Sequence, residues 1–274
     1  MNLVWAVLII AVAVAVAVAA LLLVRRRAPE GSHFKDGDRA AGVFGVLATG
    51  MSVLLGFVIF LAFESYDQSR SGAETEAIVL AQQFETAQFL PPAVARRLSG
   101  QIVCYGRSVV GLEWPQMESG ARHDQINPWG FALFRTLKAA SPRTPAEQAA
   151  YAKWLDQTSE RELARNDRIH GAEGVIPGPL WLVLFFTAAA IFVFMLFFAD
   201  SGEHVLVQGM MIGSVVAVIV ASLLLLRFLD NPYRSGVGGL QPVAMERTLS
   251  LLEEVRHVVG DAGRLPCNSK GVPG

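Results

Sequence analysis

Charged residues are scarce in this sequence. Only 17% of its 274 residues are Asp, Glu, Lys or Arg, whereas a soluble globular domain carries about a quarter. The acidic and basic residues nearly balance, at a formal net charge of −1, so the sequence lacks the basic field expected of a nucleic-acid partner. The two cysteines, Cys104 and Cys267, are too few for a disulfide framework or a cysteine-based metal site. This composition indicates a membrane protein.

Patterns that carry catalysis or bind metals are also missing. The five histidines are scattered, and none lies at ligand spacing from another. The sequence has no Gly-rich phosphate loop, no nucleophile elbow and no zinc-binding helix motif. It therefore predicts neither an enzyme nor a bound metal or cofactor.

Hydrophobic runs, by contrast, are long. Four of them contain almost no charge, and each has about 20 residues or more, enough to cross the roughly 30 Å of a bilayer core. A cleaved signal peptide is the alternative for the first run, but its apolar region would be shorter and would follow a positive charge. The sequence predicts a multi-pass protein of the cell membrane, in contact with the lipid bilayer, with spans at Leu3–Val24, Ala40–Phe63, Leu180–Ala199 and Val205–Phe228.

The polar region between the second and third spans has the pattern of helices. Apolar residues between Ala73 and Ala87 recur at alternating steps of four and three, as in a helix packed on another helix. Pro91 ends this run, because proline disfavours a helical residue before it. A second helix should stop near Pro115, followed by a loop over residues 116–128.

A third helix has clear end signals. Thr144, Pro145 and Glu147 supply a cap, a first-turn proline and a capping-box glutamate for a helix reaching about His170. An amphipathic helix should begin after Pro242, and the Gly- and Pro-rich last dozen residues should be loose. The predicted fold class is all-α, with the chain divided into a first transmembrane hairpin (1–63), a helical extramembrane domain (64–179), a second transmembrane hairpin (180–228) and a C-terminal amphipathic helix with its tail (229–274).

Small residues form stripes on two of the spans. Gly56 lies on such a stripe in the second span, and Gly209 and Gly213 lie four residues apart in the fourth. Lipid supplies no hydrophobic reason for helices to associate, so close packing through small residues must supply it. These residues are predicted to pack helices together, either within one subunit or between subunits.

The short connection after the first span indicates the orientation. Five basic residues lie between Arg25 and Arg39, and short basic loops stay in the cytoplasm. The polar region and the C-terminal tail should then lie outside the cytoplasm. Cys104 and Cys267 would share an oxidising compartment, in which a disulfide between them can form.

Five stretches of the sequence resemble a known bacterial family. They are "LLGF" in the second span, "ESYDQSRSGAETEA" after it, "YGRSVVGLEWP" in the polar region, "RIHGAEGVIPGPLW" before the third span and "LDNPYRSGVGGLQP" after the fourth. Their order and spacing resemble the bestrophin-like membrane proteins over about residues 40 to 250.

This resemblance implies a distant likeness to the bestrophins, which are pentameric ion channels lined by their second membrane helix. Their apolar neck corresponds here to Thr49, Val53 and Phe57, of which Thr49 departs from the apolar pattern. The acidic calcium site that follows the fourth span in animal bestrophins retains only Asp230, so no such site is predicted. Bestrophins place their extramembrane domain in the cytoplasm, which conflicts with the orientation indicated by the basic loop.

The functional prediction is an oligomeric ion channel. Subunits would form a homo-oligomer, a pentamer by resemblance, in which Glu64 and Asp67 line the pore mouth and favour cations among inorganic ions. Alternatively, these two acidic residues simply mark the solvent boundary of the second span. The competing function is a non-conducting membrane scaffold or sensor whose helical domain binds a partner.

Overall fold

The structure is a computed structural model that describes residues 3–29, 33–34, 36–120, 127–259 and 263–274. Throughout these ranges the regular elements are helices, and strand-like pairing is limited to one bridge between Cys267 and Pro273. The all-α prediction is confirmed. The helices are α1 (Leu3–Arg25), α2 (Gly37–Ala87), α3 (Pro92–Ser108), a π-helix (Val109–Glu113), α4 (Trp114–Glu118), α5 (Pro128–Lys138), α6 (Pro145–His170), α7 (Gly178–Phe197), α8 (Val205–Leu229) and α9 (Val243–Val258).

Four helices, α1, α2, α7 and α8, are long and apolar enough to cross a membrane, as predicted. In the most apolar window of each, at most 22% of the residues are buried inside the chain. Most of their apolar surface therefore has to contact lipid or another protein, because exposing it to water is unfavourable.

The chain divides into two compact units. Unit 1 contains Met1–Glu64, Val175–Asp230 and Gly236–Gly238, and so holds the four candidate spans except the C-terminal part of α2. Within it α1 packs on α8. A Cβ atom added to Gly213 would lie 3.2 Å from Val14, and one added to Gly209 would lie 3.9 Å from Val18. The fourth-span glycines thus face α1 of the same chain.

Unit 2 contains Ser65–Gly174, Asn231–Ser235 and Gly239–Gly274. Its core is formed by the second half of α2 with α3, α5, α6 and α9. The largest fully buried apolar side chains there include Leu80, Phe84, Leu98, Ile102, Leu133 and Trp154.

The end signals of two helices act as predicted. Thr144 Oγ1 accepts a hydrogen bond from the Glu147 amide at 3.2 Å, and Glu147 Oε2 accepts one from the Thr144 amide at 3.1 Å. This capping box opens α6, which ends at His170. The amphipathic helix expected after Pro242 is α9.

The predicted helix end near Pro115 is wrong. After α3 the backbone widens into the π-helix Val109–Glu113 and continues as α4 to Glu118. Proline is tolerated in the first turn of a helix, where its missing N–H has no intrahelical partner. The π-helix resets the hydrogen-bond register at Trp114, so that Pro115 falls in the first turn of α4.

The predicted loop over residues 116–128 is correspondingly shorter. Residues 116–118 are helical, residues 121–126 lie outside the described ranges, and α5 begins at Pro128. Helix α5 was not predicted, although its start carries a signal. Asn127 caps the helix by accepting a hydrogen bond from the Trp129 amide at 3.0 Å, and Pro128 occupies the first helical position.

The C-terminal tail, here residues 263–274, is packed rather than loose. A disulfide joins Cys267 to Cys104 of α3, and Trp129 Nε1 donates to the Gly271 carbonyl at 2.6 Å. Gly271 has a φ of +78°, and a Cβ atom there would lie 2.2 Å from the Ser108 amide nitrogen. Only glycine therefore fits this close contact between the tail and the end of α3.

Candidate functional site

Helix α2 is the element on which the predicted site lies. It is continuous over 51 residues, a length of about 75 Å. From Met51 to Glu76 its buried positions follow alternating steps of four and three, which is the spacing of one helix face. Within this stretch the buried positions are Met51, Leu55, Val58 and Ala62 in the apolar part, and then Ser65, Ser69, Gly72 and Glu76.

The opposite face of α2 has little cover from its own chain. Val53, Phe57 and Phe60 are 68%, 61% and 61% exposed. Glycines lie among them, and a Cβ atom added at any of four would meet no described atom within 4 Å: Gly42, Gly45, Gly50 and Gly56. This set of exposed apolar and glycine residues is called the open face of α2 below. Gly56, predicted to pack helices together, has no such neighbour in its own chain.

The three predicted neck residues all lie at or beside the open face. Thr49, Val53 and Phe57 are exposed in the single chain, and they follow one another at steps of four along the helix. Successive residues at this spacing turn gradually around the helix but stay on one side of it. Each of these side chains can contact the same residue of another subunit only if copies of the chain assemble through this side of α2.

The two predicted mouth residues are also exposed. Glu64 and Asp67 lie one helical turn apart on α2. Arg70, the next basic residue, forms an ion pair with Glu74 at 3.1 Å. In the described part of the chain no ion pair within 4 Å joins Arg70 to Glu64 or Asp67.

A buried ion-pair network in unit 2 was not predicted from the sequence. Arg168 of α6 is fully buried and contacts two buried carboxylates. Its Nε lies 2.5 Å from Glu76 Oε2, and its Nη2 lies 2.6 Å from Glu113 Oε2. Arg165 adds a second guanidinium, with Nε 3.4 Å from Glu113 Oε2. The network therefore joins α2, the π-helix and α6.

Neutral groups complete the shell around these charges. Tyr105 donates its hydroxyl to Glu76 Oε1 at 2.6 Å, and Asn127 Nδ2 donates to Glu113 Oε1 at 2.7 Å. The Tyr233 hydroxyl donates to the Arg168 carbonyl. Buried charges are tolerated when they are paired and hydrogen-bonded, and Arg168, Glu76 and Glu113 each make at least two such contacts.

The surroundings shift the pKa values of Glu113 and Tyr105 in opposite directions. Burial alone would raise the pKa of Glu113, but the guanidinium groups of Arg168 and Arg165 hold it below its ordinary value. Burial, reinforced by the Glu76 carboxylate, raises the pKa of Tyr105 well above its ordinary value. The phenol therefore stays protonated as a donor, while Glu113 stays ionised as a partner of the arginines. This arrangement fixes helices in place and offers no exposed nucleophile or base.

One signal for the network was present in the sequence. Arg161, Arg165 and Arg168 recur at helical spacing on α6, and such a row of like charges is unfavourable unless acids face it. Glu76 occupies a position in register with the apolar seam of α2, which also indicates burial.

No metal site emerges from the described ranges, where no group of three or more His, Cys, Asp or Glu residues could hold an ion. Asp230, the acidic residue that the resemblance places at the position of the bestrophin calcium cluster, bonds the backbone. Its Oδ1 accepts hydrogen bonds from the amides of Val175 and Ile176 at 2.7 and 2.9 Å.

Comparison with known proteins links this architecture to one family. The family described as Bestrophin-like domain matches residues 5–245. Two solved variants of a bacterial bestrophin homologue from Klebsiella pneumoniae are similar to the chain at 13% identity. For one variant the TM-score is 0.65, and the match covers 92% of this chain and 98% of the variant. For the other the TM-score is 0.62, and the match covers 89% of this chain and 98% of the variant. A further structure, described as a membrane protein, has 14% identity and a TM-score of 0.62, and covers 93% and 99%. A search among curated protein sequences finds no match.

Proposed function

Because the chain belongs to the bestrophin-like family, we propose that it forms a homo-oligomeric ion pore in which copies of α2 surround a central axis. Inorganic ions would pass along this axis, and the lipid bilayer would surround the ring of subunits. Five subunits is the number implied by the family resemblance. Each subunit would contribute its open face of α2 to the axis.

The open face is the observation that supports this proposal. Exposed Val and Phe side chains alone would suit lipid as well as protein. Glycines without a neighbour favour protein, because they let helix backbones approach one another closely. A stripe with both features fits helices that meet their own copies, with glycines at the contacts and Phe57 toward the axis.

Each part of this face has its own role in the pore. Phe57 and Val53 would form an apolar neck that holds back ions by excluding water, as hydrophobic constrictions do. Thr49 would leave that end of the neck wetter. Glu64 and Asp67 would be repeated in every subunit as carboxylate rings, which concentrate cations at a pore entrance.

We further infer that unit 2 lies outside the cytoplasm. The short basic connection between Arg25 and Arg39 is expected to stay in the cytoplasm, which puts unit 2 on the other side of the membrane. The Cys104–Cys267 disulfide of unit 2 suits an oxidising compartment. These are independent arguments for one orientation, opposite to the one implied by the resemblance to bestrophins.

Cysteine labelling tests this orientation. Both native cysteines are in the disulfide, so an added cysteine is the only expected target. Ser119→Cys, at an exposed site in unit 2, should react with a membrane-impermeant thiol reagent on intact cells. Ser201→Cys, in the connection between α7 and α8, should react only after lysis. Reversal of this pattern would establish the bestrophin orientation.

Ion flux in liposomes tests the pore. Phe57→Ala should increase flux at least several-fold, because it widens and wets the apolar neck. Phe186→Ala is the matched control, since Phe186 is 72% exposed and lies on α7 rather than on α2. Glu64→Gln should move the reversal potential in a salt gradient toward weaker cation preference.

Two results would reject the pore. The first is a monomeric mass for the detergent-solubilised particle, since one α2 cannot enclose an axis. The second is the absence of ion flux in both the parent protein and Phe57→Ala. In either case the scaffold or sensor function would replace the channel.

A further inference from the structure

A groove in unit 1 is independent of the open face of α2. It has a volume of about 640 Å³, within the range of small-molecule sites. All four candidate membrane helices contribute to its walls, through Leu21, Ala41, Phe44, Met195, Ile212 and Val215. Its lining is mostly apolar, with Asp200, Glu203 and Gln208 as the polar members.

The apolar part of the groove is preformed. Leu21 and Ile212 are 1% and 6% exposed and form part of its lining. The rings of Phe44 and Phe198 meet edge to face, with their centroids 5.9 Å apart. From Gln208 to Val215 the groove follows α8 for about 10 Å, at about 1.5 Å per residue. This length suits the first part of an acyl chain rather than a compact solute.

The polar end of the groove contains both signs of charge. The guanidinium of Arg25 crosses from α1 and donates to Gln208 Oε1 at 3.1 Å and to the Ser201 carbonyl at 3.0 Å. It also donates to Glu203, where the acceptor is the backbone carbonyl rather than the carboxylate. Arg26 and Arg27 follow Arg25 and are exposed. Carboxylates on the connection between α7 and α8 thus lie beside a basic segment at the end of α1.

We propose that this groove binds a zwitterionic phospholipid with an ammonium headgroup, of the phosphatidylethanolamine type. One acyl chain occupies the apolar part of the groove. The ammonium lies at Asp200 and Glu203, and the phosphate lies toward Arg26 and Arg27. A purely anionic headgroup could pair with the arginines but would bring no cation to Asp200 and Glu203, whereas a zwitterionic headgroup complements both signs of charge. The groove lies in the unit that contains the candidate spans, so lipid tails are the medium around it.

Lipid binding to the full-length purified protein tests the proposal. Protein stripped of lipid in detergent would be incubated with defined phosphatidylethanolamine or phosphatidylglycerol, and bound lipid counted by native mass spectrometry. Phosphatidylethanolamine should bind at least 10-fold more tightly than phosphatidylglycerol. Asp200→Asn combined with Glu203→Gln should reduce this preference about 10-fold, because the acyl chain remains held while the ammonium loses its partners.

Substitutions that fill the groove distinguish lipid binding at this site from general contact between the protein and lipid. Val215→Trp should reduce phosphatidylethanolamine binding at least 10-fold, and Ala41→Phe on another wall should act in the same direction. Val218→Trp is the matched control, because Val218 lies on the same helix, is 66% exposed and does not line the groove. It should leave lipid binding unchanged. Circular dichroism and particle mass would establish that each variant folds and assembles.

Three outcomes would overturn the proposal. The first is that the two lipids bind equally well, and the second is that both groove-filling variants still bind phosphatidylethanolamine. The third is that the parent protein binds no lipid while the groove-filling variants differ from it in particle mass. The last would mean that a second copy of the chain occupies the groove. Ion flux is a separate measurement, so failure here leaves the pore proposal standing.

Discussion

Removing the Cys104–Cys267 disulfide should release the C-terminal tail and destabilise unit 2. The change is Cys104→Ser together with Cys267→Ser, which deletes the cross-link and leaves no thiol to mispair. Apart from this bond, the tail is fixed by hydrogen bonds that Trp129, Arg107 and Arg256 donate to its carbonyls, and by a turn in which Asn268 Oδ1 accepts from the Lys270 and Val272 amides. The two bonds to Asn268 Oδ1 lie within the tail itself and cannot attach it to the rest of unit 2.

The size of the effect follows from the length of chain that the disulfide closes. The cysteines are 163 residues apart in sequence, and closing a loop of that length restricts the unfolded chain by about 5 kcal/mol in the entropic account. That figure is an upper bound here, because the loop includes α7 and α8. These helices stay in the bilayer when unit 2 unfolds, so the unfolded chain is already restricted. We expect a loss of about 2–4 kcal/mol in the free energy of unfolding.

Two assays would measure the loss. Urea unfolding followed by tryptophan fluorescence reports unit 2 as a whole, because Trp114, Trp129 and Trp154 are buried there. Limited proteolysis reports the tail, whose cleavage near Arg264 should become faster in the double variant. Reducing the native protein with a dithiol should reproduce both changes, and each single Cys→Ser variant should lose as much stability as the double.

Ser250→Ala is a suitable control, because Ser250 is exposed and its hydroxyl bonds only the preceding turn of α9. A change below about 0.5 kcal/mol in the double variant, with unaltered proteolysis, would refute the reasoning. It would mean that the packing of the tail does not depend on its covalent tether.

Three further predictions concern unit 2. Arg168→Met should cost about 3–5 kcal/mol in urea unfolding, because it leaves the buried Glu76 and Glu113 carboxylates without their main partner, whereas Glu246→Gln on the exposed face of α9 should cost little. The pKa of Glu113 is lowered in the folded protein, so the stabilisation that its carboxylate provides is full when the pH is above the ordinary pKa of 4.5 and is lost as the pH falls below that value. Glu113→Gln should therefore flatten the dependence of the unfolding free energy on pH in this acidic range. An unchanged slope would contradict the assignment. Gly271→Ala should destabilise the tail by at least about 1 kcal/mol, because its φ is +78° and its Cβ would collide with Ser108. Gly263→Ala, whose Cβ would meet no described atom within 4 Å, should be neutral in the same proteolysis assay.

The sequence predicts best those features that depend on local pattern. The four spans follow from length and apolarity, and the start of α6 follows from Thr144, Pro145 and Glu147, whose interactions all lie within one turn. The start of α5 depends on an equally local signal at Asn127 and Pro128, so this helix too is predictable from the sequence alone.

Features that depend on distant partners could not be predicted in the same way. A proline usually ends a helix, and only the packing of unit 2 decides that a π-helix resets the register before Pro115. The tail is rich in Gly and Pro, which suggests looseness, yet its position depends on a cysteine far away in the sequence. Arg168 looks like a solvent-facing charge on an amphipathic helix until Glu76 and Glu113, from two other elements, are placed around it.

The continuity of α2 can now be explained from its two faces. A helix without a Gly or Pro end signal continues for as long as each of its turns has something to pack against, since most helical stability in proteins comes from packing. The buried positions of α2 keep the same spacing from Met51 to Glu76, while their chemistry changes from aliphatic to hydroxyl and then to carboxylate. The carboxylate is matched by Arg168 and Tyr105. The exposed face changes in parallel, from Val53 and Phe57 to Glu64. A single unbroken helix therefore passes from an apolar to a charged environment because each segment of it has its own partners on the buried side, and this leaves the other side available for copies of the chain.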